Sequence, residues 1–254
     1  MSSARTHVAA THARMTTGLG RAVGAELLKL RTLPAVVASA LGTVAVGVML
    51  AAALASSASP GTSAARVVTQ VVPFLQIGPV LIAVLAVASE YAGRQIATTL
   101  TATPNRLLLL AGKSFAYLIV ATATSIATVG AGLCAAHLTF AARDAGAATE
   151  ADAEAAVGAA LYLVLVGLLS LGLATLLRSL VPPLVTMLSL VLIVSPLLSA
   201  YTEHARWFPD RAGSLLYRPG TDTVLGPGSG AAVLLAWIAV TASAAIITFR
   251  ARDA

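Results

Sequence analysis

The 254-residue chain is 58% hydrophobic and only 10% charged, with a formal net charge of +6 and a mean hydropathy of +0.89. Soluble domains carry about 25% charged residues, and disordered chains pair low hydrophobicity with high net charge. The composition argues against a water-soluble globule, excludes disorder, and makes lipid the expected solvent.

Residues 1–20 lack the apolar core of a secretory signal. An amphipathic interfacial helix is predicted over Gly18–Thr32. Leu19, Val23, Leu27 and Leu30 fall at helical spacing, and Arg21, Glu26 and Lys29 are assigned to the other faces. Glu26, Lys29 and Arg31 are its candidate site residues, read either as snorkelling juxtamembrane charges or as a partner contact. Beyond it lie six charge-free intervals of at least 23 residues: Thr32–Ala65, Val67–Ser89, Ser114–Ala142, Ala155–Leu177, Ser179–Thr202 and Thr223–Phe249. A helix of about 20 apolar residues crosses the ~30 Å hydrocarbon core, so each interval holds one span. The spans are predicted at 34–55, 73–90, 114–138, 156–177, 183–200 and 231–249. Their Leu, Ala and Val runs show no period-two alternation, and only helices or closed barrels satisfy backbone polar groups in lipid. The expected fold is therefore an all-α, six-span membrane protein.

Several residues punctuate the spans. Pro34 starts span one, where its missing N–H does little harm. Ser56–Ser63 reads as a loop. Pro79 is expected to kink or break span two, and Pro196 to do the same near the outer end of span five. Pro182-Pro183 makes a rigid turn within the short Arg178–Pro183 connection. Glu90–Lys113, in contrast, is predicted as a long inner loop with helical character. Arg143–Glu154 is a short acidic outer loop. Tyr201–Gly230, with Trp207, Phe208 and Tyr217, is too apolar for a free loop. It is expected to dip into the interface or cap the spans as short helices, its aromatics at headgroup level.

Basic residues set the orientation. With both termini inside, the inner segments hold eleven of the sixteen basic residues against three acids, and the outer segments five against seven. The basic balance thus marks an inner membrane face and not a nucleic-acid surface. Arg outnumbers Lys 14 to 2, a pattern of GC-rich bacterial genomes.

Chemistry of its own is sparse. Gly112-Lys113-Ser114 ends like a phosphate-binding loop, but Leu107 stands where the first Gly is required. Gly228-Ser229-Gly230 lacks the preceding Gly of an intramembrane serine protease, since Pro227 stands there. His7, His12, His137 and His204 show no metal-ligand spacing, and Cys134 is the single cysteine. The span cores hold no Asp, Glu, Lys or Arg, whereas ion-coupled transporters need such groups near the midplane. Hydroxyls do occur there: Thr124, Ser125 and Thr128 in span three, Thr186 and Ser189 in span five. They are read as helix–helix contacts or as pathway lining.

Three stretches carry a family resemblance. They are Ala25-Glu26-Leu27-Leu28-Lys29-Leu30-Arg31-Thr32; Glu90-Tyr91-Ala92-Gly93-Arg94-Gln95-Ile96-Ala97-Thr98-Thr99-Leu100 followed by Pro104-Asn105-Arg106 and Lys113; and Trp207-Phe208-Pro209 with Phe249-Arg250-Ala251-Arg252-Asp253-Ala254. In this order, with six spans, the chain resembles a type-2 ABC transporter permease, the membrane subunit of many bacterial exporters. The resemblance implies one permease domain: a cytosolic segment 1–33, a bundle 34–249 and a cytosolic tail 250–254, with N-in/C-in topology. It implies a coupling helix between spans two and three, roughly Ala92–Arg106, that docks on an ATPase subunit. Glu90, Arg94, Gln95, Thr98, Leu100, Pro104 and Arg106 are the expected contact residues. It further implies a homodimer served by two ATPase copies, with ATP and Mg bound on those partners and no cofactor or enzymatic activity on this chain. The expected location is the bacterial plasma membrane. The alternative is a membrane protein that does not use ATP: a secondary transporter, channel or scaffold. Residues 1–20 match nothing in that family pattern.

Overall fold

Runs of Ala, Leu and Val bond their own backbone in lipid, and the charge-free intervals fold accordingly. The computed structural model describes residues 18–59, 61–92, 106–143 and 152–251. Residues 18–32 form α1. Then come α2 (Pro34–Ser57), α3 (Ala64–Leu75), α4 (Ile77–Ala92), α5 (Arg106–Ala141), α6 (Asp152–Leu177) and α7 (Val181–Ser189). A π-helical turn, Leu190–Val194, leads into α8 (Ser195–Tyr201), and a 3-10 turn, Glu203–Trp207, precedes α9 (Pro209–Ser214) and α10 (Pro227–Ala251).

Six stretches are long and apolar enough to span a membrane: Pro34–Ser57, Ala64–Ser89, Leu107–Ala141, Ala153–Leu177, Val181–Tyr201 and Pro227–Thr248. Two boundaries differ from the sequence reading. Span two begins at Ala64, because Ser63 caps the helix by accepting Arg66 N–H at 3.2 Å while the Arg66 side chain stays exposed. Span three begins at Leu107, so Lys113 lies two turns inside a helix and not in a loop. The break in span two falls at Gln76, between α3 and α4, with Pro73 inside α3 and Pro79 in the first turn of α4.

α3, α4 and α6 form the centre. α2 packs along α5 and also touches α3 and α4; α10 packs on α6 and α9; α7 lies at the edge against α6 and α4. Lipid gives no hydrophobic drive for helices to associate, so close backbone approach matters. Glycines supply it at two contacts. A Cβ on Gly78 would lie 1.8 Å from Thr43 Oγ1, and one on Gly167 1.7 Å from Tyr117 Oη. Tyr117 and Tyr162 are fully buried at the centre.

Span five keeps only one stripe inside: Pro183, Met187, Val191 and Ser195, each four residues apart. Ser195 N–H bonds Leu190 O across the π turn. Arg178, with φ 49°, takes a left-handed backbone that turns the chain from α6 into α7.

Candidate functional site

The charges at the basic end are not all solvated. On α1, Glu26 is three residues after Val23 and four before Leu30, so it shares their face. This corrects the assignment of Glu26 to another face of the helix. Leu30 is 1% exposed and Glu26 6%. Lys113 of α5, 5% exposed, places Nζ 3.0 Å from Glu26 Oε2 and 3.3 Å from the Ala86 carbonyl of α4. Burying either charge alone is costly, and the opposite charge in hydrogen-bond contact offsets that cost. One ammonium thus joins α1 to spans two and three. Gly112 keeps the approach close: a Cβ there would meet Ala22 Cβ at 2.9 Å. Lys29 is half-buried beside the pair on α1, and Arg31 is exposed.

The expected coupling segment springs from this joint. Glu90 lies in the last turn of α4, and Arg106 is the first residue of α5. Arg94, Gln95, Thr98, Leu100 and Pro104 lie outside the described residues.

The candidate hydroxyls separate into two groups. Thr124, Ser125 and Thr128 are buried. Ser125 Oγ and Thr128 Oγ1 have no hydrogen-bond partner, and a Cβ on Gly47 of α2 would meet Thr128 Cγ2 at 3.0 Å. Steric fit between α2 and α5, not a bond from these hydroxyls, accommodates them. Thr186 is exposed and Ser189 half-buried on peripheral α7. A further feature was not anticipated: an apolar cavity of about 440 Å³ between α5, α6 and α10, with Phe115, Leu171 and Ile246 among its walls and Ser114 and Thr175 as its hydroxyls.

The opposite end is closed by the 3-10 turn, α9 and the loop to α10. The expectation of short capping helices holds, but Tyr217 is not at headgroup level. It is buried, its ring centroid 5.1 Å from that of Tyr162 in span four. The Tyr162 hydroxyl donates to Gln76 Oε1, and Gln76 Nε2 donates to Pro73 O at 2.7 Å. The cap is therefore tied to the break in span two. Arg218 reinforces the tie, lying 5.6 Å from the Tyr217 ring centroid and donating to Thr69 O at 2.8 Å. Arg143 caps the end of α2 by donating to Ala55 O at 2.8 Å. Burial pushes the Tyr217 hydroxyl up to about 12, with the Arg218 guanidinium working against it. Burial also raises the Asp210 carboxyl above its ordinary value, opposed by a hydrogen bond from Ser195 and the charge of Arg211. Asp222, exposed, is held below its ordinary value by the N–H groups of Leu225 and Val224.

Position and charge together made the inner joint legible: Glu26 falls on the apolar stripe, and Lys113 ends a charge-free interval. The Tyr162–Gln76 and Arg218–Thr69 contacts join residues 86 and 149 apart in sequence, with no local pattern to mark them. No protein-family model matches the chain, and no curated protein matches it.

Proposed function

We propose that the chain is the membrane-spanning permease subunit of an ATP-binding-cassette exporter, resident in a bacterial plasma membrane. In this reading it works as a homodimer with both termini inside, driven by two copies of a separate ATPase that binds ATP and Mg. The observation that carries it is the Glu26–Lys113–Ala86 joint. Residues 93–105 connect α4 to α5, and those two helices and α1 meet at this one buried pair. A push on the connector then reaches spans two and three and the interfacial helix as one body. In a dimer, the exposed side of α7, with Thr186 and Ser189, is the surface available to a shared pathway.

The test is to co-express the chain with its ATPase and replace Ala92–Arg106 by a flexible linker. The linker variant should still insert but lose ATP-driven transport and any cargo-stimulated ATPase activity. Transport that persists in ATP-depleted proteoliposomes would favour the secondary-transporter or channel reading instead.

A further inference from the structure

The outer end carries a pocket of about 420 Å³ that the transport reading does not use. Arg206, Arg211 and Arg218 line it, with the carboxylates of Glu203 and Asp222. Both carboxylates are committed. Glu203 Oε2 lies 2.8 Å from Arg206 Nη2, and Asp222 Oδ1 lies 3.5 Å from Arg206 Nη1. Asp222 Oδ1 also accepts the N–H groups of Val224 and Leu225 at 2.7 and 3.0 Å.

Arg211 and Arg218 are placed differently. Arg211 donates to Ser195 Oγ at 3.3 Å and Ser199 Oγ at 2.8 Å, and Arg218 to the Thr69 carbonyl at 2.8 Å. All of these acceptors are neutral. Asp210 is buried beside Arg211 in sequence but makes no ion pair with it. Among the described residues, neither guanidinium has a carboxylate at ion-pair distance. Each guanidinium has five N–H donors, so both keep donors that the chain does not occupy.

The surroundings indicate what supplies the missing negative charge. Ser199, on the pocket wall, belongs to α8, and Leu197, Leu198 and Tyr201 of that helix are exposed. Trp207, half exposed, lies just beyond, its carbonyl accepting Trp237 Nε1 at 3.0 Å. Exposed Tyr and Trp at the end of a span mark headgroup level. Apolar helix surface therefore runs up to two positive groups that have only neutral partners. An anionic amphiphile satisfies both, with its chains on the helix and its oxyanion on the guanidinium groups.

We propose that this pocket binds the phosphate of an anionic phospholipid headgroup through Arg211 and Arg218, with an acyl chain along the exposed side of α8. The proposal needs only that the chain lies in a membrane, so it stands or falls apart from the transport reading.

The full-length protein in neutral detergent would be titrated with phosphatidylglycerol, phosphatidylcholine or sodium phosphate. Native mass spectrometry reads retained lipid, and thermal unfolding reads the shift in Tm. Phosphatidylglycerol should be retained about tenfold more tightly than phosphatidylcholine and should raise Tm. Arg211→Gln should abolish that preference, and Arg66→Gln, outside the pocket, should leave it intact. Thr223→Trp fills the pocket mouth without altering either guanidinium, and should also abolish the preference should Arg211→Gln fold poorly. A preference that survives both pocket variants overturns the site. Stabilisation by sodium phosphate with no preference between the two lipids overturns the lipid assignment and makes the ligand a soluble oxyanion.

Discussion

Arg218 donates from Nη2 to the Thr69 carbonyl at 2.8 Å, the oxygen that Pro73, four residues further along α3, leaves without an intrahelical donor. A side chain from the outer cap thus closes a gap in the backbone of span two. Arg218→Ala strands a carbonyl in a buried residue and should cost about 1–3 kcal/mol. Pro73→Ala restores an N–H at that place. The double variant should therefore unfold at a higher temperature than Arg218→Ala alone in detergent. Equal or lower stability of the double variant would remove this role from Arg218.

The Glu26–Lys113 pair should behave as a unit. Either Glu26→Ala or Lys113→Ala leaves one buried charge uncompensated and should cost about 3–5 kcal/mol. Replacing both, as Glu26→Leu with Lys113→Met, should recover most of that loss, because two apolar side chains of similar length need no partner. A double-mutant cycle on thermal unfolding measures the interaction directly. Additive losses would show that the two charges do not depend on each other.

Gly167 is expected to tolerate no side chain. A Cβ there would stand 1.7 Å from Tyr117 Oη, at the centre of the bundle. Gly167→Ala should lower stability by about 1–3 kcal/mol. Tyr117→Phe removes the clashing oxygen and should restore part of the loss. Unfolding of the three variants against the parent protein decides it, and a neutral Gly167→Ala would mean that α5 and α6 are not so closely packed.

Asp210 gives the outer cap a pH dependence of known sign. Its carboxyl is raised by burial, so the folded chain holds the proton at a pH where the unfolded chain has released it. Stability then falls as pH rises from the ordinary carboxylate range through the folded value, and acidification from neutral pH recovers it. Asp222 acts oppositely: its lowered carboxyl contributes stability above the ordinary range, lost only as pH falls through its lower folded value. Asp210→Asn should raise Tm at neutral pH and flatten its rise on mild acidification. An unchanged slope of Tm against pH would exclude Asp210 as its source.

The six spans were legible because charges are excluded from lipid, and the gaps between charges outline the helices directly. That same logic misplaced Lys113. A charge was read as the edge of a span, whereas Glu26 neutralises it inside the helix. The helical turns of the outer cap were legible from its apolar residues and prolines. The partners of those residues were not, because Tyr217 meets Tyr162 only once distant spans have packed. The hydroxyls of Ser125 and Thr128 show a similar limit: sequence marks a polar atom in a span but not whether a bond is made to it.

The π turn at Leu190–Val194 bears on how this chain tolerates insertions and deletions. Residues four apart drift about 40° per step around an ideal α-helix, yet Pro183, Met187, Val191 and Ser195 all stay against the bundle. The wider turn takes up that drift, as a single inserted residue does in an α-helix. Removing one residue from Leu190–Val194 would return the helix to α geometry and swing everything after it by about 100°. Ser195 and Ser199 would then leave Arg211, while the inner half of the span kept its seat. The length of this one turn, more than the identity of its apolar residues, sets the alignment between the membrane bundle and its outer cap.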